Sequence, residues 1–369
     1  MIYMKERIVS IDIIRGISLV GILFMNALGF HYANVYNSPA EIYPDTLSKW
    51  IYHINVVIIH NSFYPIFAFL FGIGMAIMYK NIIQRGQNPS PILLRRFLAM
   101  MVFGLLHGFL LFYGDILQTY ATLALLCIPF LFMRPVVSLI VAIIQFSLTA
   151  FSVLMIALLS DSQSLAFTSD ALLTKAISHS DIAGIVSWNA QQFMNLATPL
   201  SVFNIISGVL MIMPFILFGM WCFRTDVFSQ LVIHKKATLL SIAVTAISGI
   251  TIKILALDGR YELVYVGGTI LAAAYVMTLV LLCSQSSSLK VLMPFQALGK
   301  LAFSVYIFQS VILFLIFYLF KFYNSLHIIT LHLLLTAIAL VLLWLSNLYL
   351  KYYRTGPLEW LWRKITYLR

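Results

Sequence analysis

A few polar residues interrupt long apolar runs in this sequence, and their types and spacing suit proton transfer and anion binding. Asp12 and Arg15 stand three apart, which on a helix places them on one face. Arg15 can hold an anionic or carbonyl-bearing ligand there; the plainer role of the two is a self-neutralising pair near the helix end. Asn26 follows eleven residues after Arg15, about 16 Å farther along the helix, and His31 lies in the adjoining loop. His107 comes about two turns before the tight turn at Tyr113-Gly114, and Asp115 opens the next apolar run. A carboxylate aimed at an imidazole holds a general base in one tautomer. The competing role for that pair is a structural hydrogen bond joining two helices. Arg95 and Arg96, with Lys80 and Arg85 just before them, form a basic segment suited to a phosphate-bearing ligand such as coenzyme A, or to lipid headgroups. His53 and His60 are seven apart, about 10 Å along one helix face, too far to share a metal ion. Cys127, Cys222 and Cys283 are dispersed in or beside apolar runs and show neither a disulfide framework nor zinc spacing. No metal site is expected.

The elements that must position these groups are membrane helices. Hydrophobic residues make up 62% of the chain and charged residues 9%, against about one-quarter charged in a soluble protein. A span needs roughly 20 apolar residues. Ten such stretches run over 8–30, 50–79, 97–113, 116–133, 136–159, 200–223, 237–257, 263–283, 301–320 and 328–350. Runs this continuous suit helices rather than alternating barrel strands. The fold class is therefore all-α, a polytopic membrane bundle of about ten helices forming a single membrane domain over 1–369. The second stretch is unusually long, and Pro65 within it predicts a kink or a broken, partly re-entrant helix. Gly72 and Gly74 in LFGIGMA read as close-packing positions. Lys253, one turn from a helix end, reads as a snorkelling side chain. Ionisable groups inside spans cost about 2.5–3.5 kcal/mol each on the insertion scale, so each requires a reason.

Charge distribution orients the bundle. With the amino terminus inside, seventeen lysines and arginines fall in cytoplasmic segments and four in external ones. Both termini are thus expected in the cytoplasm. The net charge of +11 is a topology signal, not a nucleic-acid footprint, and anionic membrane lipids are its plain partner. The external loops are 31–49 and 160–199, the latter containing the irregularly amphipathic SWNAQQFMNLATP. The tail 356–369, with Trp360, Trp362, Tyr367, Arg363, Lys364 and Arg369, reads as interfacial, and Pro357 suits the first turn of a helix there.

The stretches RIVSIDIIRGISLVGILFMN, FAFLFGIG, RRFLAMMVFGLLHGFLLFYGDILQTYA, ALGKLAFSVYIFQS and GPLEWLWRKIT resemble the YeiB-like family of bacterial membrane proteins. The resemblance covers both ends and most of the chain, with little to match over 136–199. The amino-terminal part is also similar to the first spans of heparan-α-glucosaminide N-acetyltransferase and, more distantly, to other transmembrane acyltransferases. The shared pattern is D-x-x-R-G, here Asp12, Arg15 and Gly16, followed by Asn26 at the end of the span. That likeness implies an acyl group taken from cytoplasmic acyl-CoA and passed to a sugar or other acceptor across the bacterial plasma membrane. It also implies a catalytic histidine after the asparagine. His31 lies closer to Asn26 than in the acetyltransferase and lacks its following tryptophan-asparagine-glycine pattern, which leaves His107 as a rival base. The sequence therefore points to a membrane acyltransferase with Arg15, Asp12, Arg95 and Arg96 on the donor side and His107, Asp115, His31 and Asn26 as catalytic candidates. A transporter or exporter of a small amphiphile, or a non-catalytic membrane subunit, is the alternative; an oligomer is compatible with either.

Overall fold

The computed structural model describes residues 2–31, 45–159, 181–197 and 201–368, so most of the two external loops lies outside the described residues. All secondary structure among the described residues is helical. The first half of the chain contains α1 (Ile2–His31), α2 (Thr46–Ile58), α3 (Phe63–Gln84), α4 (Pro89–Leu110), α5 (Leu117–Phe132) and α6 (Pro135–Leu159). The short external helix α7 (Ile182–Gln192) runs into a π-helical turn, Phe193–Ala197. Then come α8 (Val202–Met211), α9 (Met213–Arg224), α10 (Val227–Ile233), α11 (Lys235–Ala256) and α12 (Leu263–Cys283). The last elements are α13 (Ser286–Lys300), α14 (Ala302–Phe314) with a π-helical end Leu315–Leu319, α15 (Ile328–Tyr352) and α16 (Pro357–Tyr367).

Eight helical segments are long and apolar enough to span a bilayer, and α8 with α9 forms a ninth as a pair bent by 40°. Helix α5 has only 16 residues, about 24 Å of rise. Its ends nonetheless meet the same two levels as its neighbours. It starts in the hairpin with the external end of α4, and at its other end Phe132 packs its ring on Tyr79 near the end of α3. There, too, Arg224 at the end of α9 donates to the Phe130 and Met133 carbonyls at 3.0 and 2.7 Å. Counting α5, the described residues make ten crossings. The first turns of α1 and the tail helix α16 lie on one face, alongside Arg95, Arg96 and Lys300; the charge rule makes that face cytoplasmic.

Small residues set the closest helix contacts, as expected where lipid offers no hydrophobic drive for association. A Cβ at Gly16 would overlap the Phe295 carbonyl oxygen, and one at Gly299 the carbonyl oxygen of Asp12. This reciprocal pair locks α1 onto α13. The segment 284–300, an inter-span connection by its sequence, is therefore mostly a helix packed along α1, with Pro294 inside it and the Pro294 carbonyl accepting from Asn347 at 2.9 Å. Gly72 and Gly219 form a second reciprocal pair between α3 and α9. Gly74 does not pack closely: a Cβ there meets nothing within 4 Å.

The long second stretch is broken at residues 59–62, between α2 and α3, with Asn61 at φ 55°. The break precedes Pro65, which sits in the first turn of α3, where an amide hydrogen has no intrahelical partner to lose. Carbonyls freed by such a break need partners inside the protein. Lys253 supplies one. It does not snorkel: it is fully buried, and its Nζ donates to the His60 carbonyl at 2.6 Å and to Ser62 Oγ at 2.8 Å. Gly267 leaves space for the lysine stem and Gly268 for the Asn61 backbone. Tyr275 donates to the Ile58 carbonyl at 2.9 Å. At the α8–α9 bend, Tyr265 and Thr149 serve the Met211 and Leu210 carbonyls at 3.1 and 2.9 Å.

Two predictions follow from this architecture. Lys253→Met leaves a buried carbonyl and hydroxyl without their donor, a loss of about 1–3 kcal/mol, and should lower the thermal unfolding midpoint in detergent; an unchanged midpoint would show that the break holds itself. Single cysteines replacing Lys235 and Arg260 should react with a membrane-impermeant maleimide only from the cytoplasmic and only from the external side, respectively. The reverse pattern would invert the orientation.

Candidate functional site

Helices α4 and α5 form an antiparallel hairpin, closed by a short external turn, because Gly104 lets the α5 backbone at Gln118 approach within contact. The hairpin brings His107 and Asp115 together: His107 Nδ1 lies 2.8 Å from Asp115 Oδ1, with both side chains buried. A carboxylate only accepts, so Nδ1 carries the hydrogen, and in the neutral imidazole Nε2 is then the acceptor. Asp115 is fixed from two other directions. Its Oδ2 accepts from the Gln118 amide at 2.9 Å, and its Oδ1 accepts from the Tyr306 hydroxyl at 3.3 Å. His107 Nε2 is buried and has no hydrogen-bond partner among the described residues. Buried polar atoms without partners are few in native proteins and call for an explanation.

A cavity of about 300 Å³ opens on the basic face and runs inward between α1, α3, α4, α13 and α14. Arg15, Arg96, Lys300, Glu359 and Trp362 line its mouth, while Phe67, Leu70, Phe71 and Met100 line its walls. Ile116, Leu117 and Tyr306 lie beyond them. Gly74 also borders it, so the open space at that glycine is cavity volume. Tyr306 belongs to both features: it lines the cavity and holds Asp115. His107 is not among the lining residues.

The charged mouth is organised by the tail. Glu359 caps α14, accepting from the Phe303 and Ser304 amides at 2.7 and 3.0 Å and from the Ser304 hydroxyl. A carboxylate at a helix amino end is favoured by the exposed amides and the helix dipole. Trp362 donates to the Arg96 carbonyl at 2.8 Å, and the Arg96 guanidinium lies 3.7 Å over its ring. Arg15 donates to Asp12 Oδ1 at 2.9 Å and to the Gly299 carbonyl at 3.3 Å, fixed at the α1–α13 crossing. Asp12 thus serves Arg15. Arg95 stays outside the cavity, donating from Nε to the Thr366 carbonyl at 3.2 Å near the end of α16. The tail is thereby anchored to the protein on one side, while Trp360 on its other side remains exposed.

The remaining sequence candidates lie elsewhere. His31 is buried near the external end of α1, where its Nε2 accepts from the Leu326 amide at 3.1 Å and its carbonyl from the Asn324 amide at 2.9 Å. Its acceptor nitrogen is used in fastening the 320–327 turn, which is a structural task and sets it apart from His107. Asn26 is half-buried and makes no side-chain hydrogen bond with a described residue. His53 and His60 do not converge, and no group of three or more metal-ligating side chains occurs among the described residues.

Sequence reasoning missed Tyr306, Glu359, Trp362 as an arginine platform, and Asn189. Glu359 had a signal: it is an acid standing in an otherwise basic tail. Asn189, within SWNAQQF, is fully buried and clamps the dyad hairpin from outside. Its Nδ2 donates to the Gly108 and Phe109 carbonyls at 2.7 and 2.9 Å, and its Oδ1 accepts from the Tyr113 amide at 2.8 Å. Near the hairpin turn, Trp188 meets Tyr113 and Tyr318 edge-on, Phe193 tilts against Phe109, and Phe30 stacks on Phe112. Asn189→Ala should cost about 1–3 kcal/mol through the orphaned groups and speed hydrogen exchange at amides 107–115. Unchanged exchange there would remove Asn189 from the hairpin's support.

A bundle of ten crossings, a basic cavity and a buried His–Asp dyad define a multi-pass membrane protein with an internal polar site. Residues 222–369 match the family described as a protein of unknown function (DUF418). The chain is 28% identical to the uncharacterized protein YxaH of Bacillus subtilis (strain 168), the alignment covering 99% of this chain and 95% of YxaH. It is also 28% identical to an uncharacterized 39.9 kDa protein in the amylase 3′ region of Bacillus acidopullulyticus, over 100% of this chain and 96% of that one. Against the uncharacterized protein YeiB of Escherichia coli (strain K12) the identity is 26%, over 98% of this chain and 96% of YeiB. These matches make the chain similar to YxaH and YeiB along nearly its whole length. No solved structure matches it.

Proposed function

We propose that this protein is an acyltransferase of the bacterial plasma membrane, with His107 as general base and Asp115 as the group that orients it. The observation that carries this reading is the buried, unpartnered Nε2 of His107, whose orienting Asp115 also accepts from Tyr306, a residue lining the cavity that opens on the basic face. An acyl-CoA-type donor would place its anionic part among Arg15, Arg96 and Lys300 and its acyl thioester toward Tyr306. An acceptor hydroxyl or amine, on an envelope glycan or lipid, would lose its proton to His107 Nε2 as its oxygen or nitrogen bonds to the thioester carbon. The carbon–sulfur bond breaks, and the proton on His107 passes to the leaving thiolate.

General base catalysis contributes about 10²–10⁴-fold. His107→Ala should therefore lower transfer of radiolabelled acetyl from acetyl-CoA to envelope material by at least about 100-fold, with the protein still folded in membrane vesicles. Asp115→Asn should lower it too. Gly74→Leu, at a position where an added Cβ meets nothing within 4 Å and the cavity lies beyond, should fill the cavity and reduce transfer without lowering the unfolding midpoint. Full turnover in the His107 variant would defeat this reading.

A further inference from the structure

Across α16 from the cavity mouth lies a separate cleft of about 480 Å³ on the same face. It is formed by two segments far apart in sequence: Arg85 and Gln87 from the α3–α4 turn, and Thr355, Trp360, Arg363 and Lys364 from the tail. Arg85 ends α3, and Gly86 at φ +66° turns the chain sharply after it. Lys364 Nζ rests 4.4 Å from the Trp360 ring centre, which holds its charge at the rim. No carboxylate lines the cleft. The nearby acid of the tail, Glu359, is consumed by the amino end of α14. None of Arg85, Arg363 and Lys364 forms an ion pair with a described residue, whereas Arg15, the cation beside the neighbouring cavity's crossing, has Asp12. Three like charges gathered round one concavity repel one another unless an anion joins them, and they raise the local anion concentration. Arginine adds a planar fork matched to phosphate oxygens.

We propose that this cleft is a binding site for a phosphate ester carrying two or more negative charges, with Arg85, Arg363 and Lys364 as its ligands and Gln87 and Thr355 as neutral hydrogen-bond donors. Two sources share that chemistry, a soluble phosphate ester from the cytosol and a phospholipid headgroup. The proposal needs no acyl transfer, and its readout is binding alone, so its failure would leave the His107 reading standing.

The test uses the full chain in phosphatidylcholine nanodiscs and inorganic pyrophosphate as probe, followed by calorimetry at low salt. Parallel samples in nanodiscs containing cardiolipin, whose headgroup carries two phosphate charges, are analysed for retained lipid by native mass spectrometry. The double variant Arg363→Gln/Lys364→Gln and the single variant Arg85→Gln are compared with Lys290→Gln, an exposed basic-face control. Saturable pyrophosphate binding weakened at least tenfold by the cleft variants, and unchanged by the control, supports the site with a soluble ester as its source. Retained anionic lipid lost only in the cleft variants, without pyrophosphate binding, supports the site with a headgroup as its source. If neither probe binds, or if the cleft variants and the control behave alike, the proposal is overturned.

Discussion

In hydrocarbon, a carbonyl released by a broken helix has no water to turn to, and this structure is arranged around meeting that demand. The break at 59–62 is possible because Lys253 reaches it from α11 and Tyr275 from α12. Glycines on α12 give both the lysine and the broken backbone room. The consequence extends well beyond the break. It lets α3 start afresh as a 22-residue helix, so that one face, from Phe67 to Met78, lines the cavity while Gly72 seats α3 against α9. A cationic side chain that looks like an interfacial anchor in the sequence is thus a keystone of the external half.

The His107–Asp115 dyad is the exception to this economy of partners. Asp115 is satisfied from several sides and the external hairpin is clamped by Asn189, yet His107 Nε2 is left with no described partner. An imidazole oriented this way, with its second nitrogen unengaged by any described residue, suits proton transfer. The cavity on the opposite side grades from cations at its mouth to rings and aliphatic chains within. That gradient suits an amphiphile with an anionic end. The tail helix builds the charged part: Glu359 fixes its depth by capping α14, and Trp362 fixes Arg96.

Much of this was legible in the residues. Apolar run lengths specify helices, and the ten runs correspond to ten crossings once α5 is counted with its neighbours and α8 with α9 is taken as one bent span. With one tight turn joining their helices, His107 and Asp115 can approach at one depth, and in the structure they do. The D-x-x-R spacing likewise yields the Asp12–Arg15 pair, because it depends only on helical periodicity.

Other features depend on which surfaces face one another, and no local pattern encodes that. Lys253 reads as a snorkelling residue from its distance to a helix end; only the α11–α12 crossing turns it inward. His31 and His107 are comparable as isolated histidines, and tertiary contacts separate them by placing a backbone amide on the acceptor nitrogen of one and none on the other. The two glycines of LFGIGMA are indistinguishable in sequence, yet one meets a backbone carbonyl and the other an open cavity. The sequence by itself determined the helices, their number and the charged face, because hydrophobic length and positive charge act residue by residue against the bilayer. The breaks' partners, the cavity and the free imidazole nitrogen were decided by tertiary structure alone, because each is a relation between side chains and backbones brought together from distant parts of the chain.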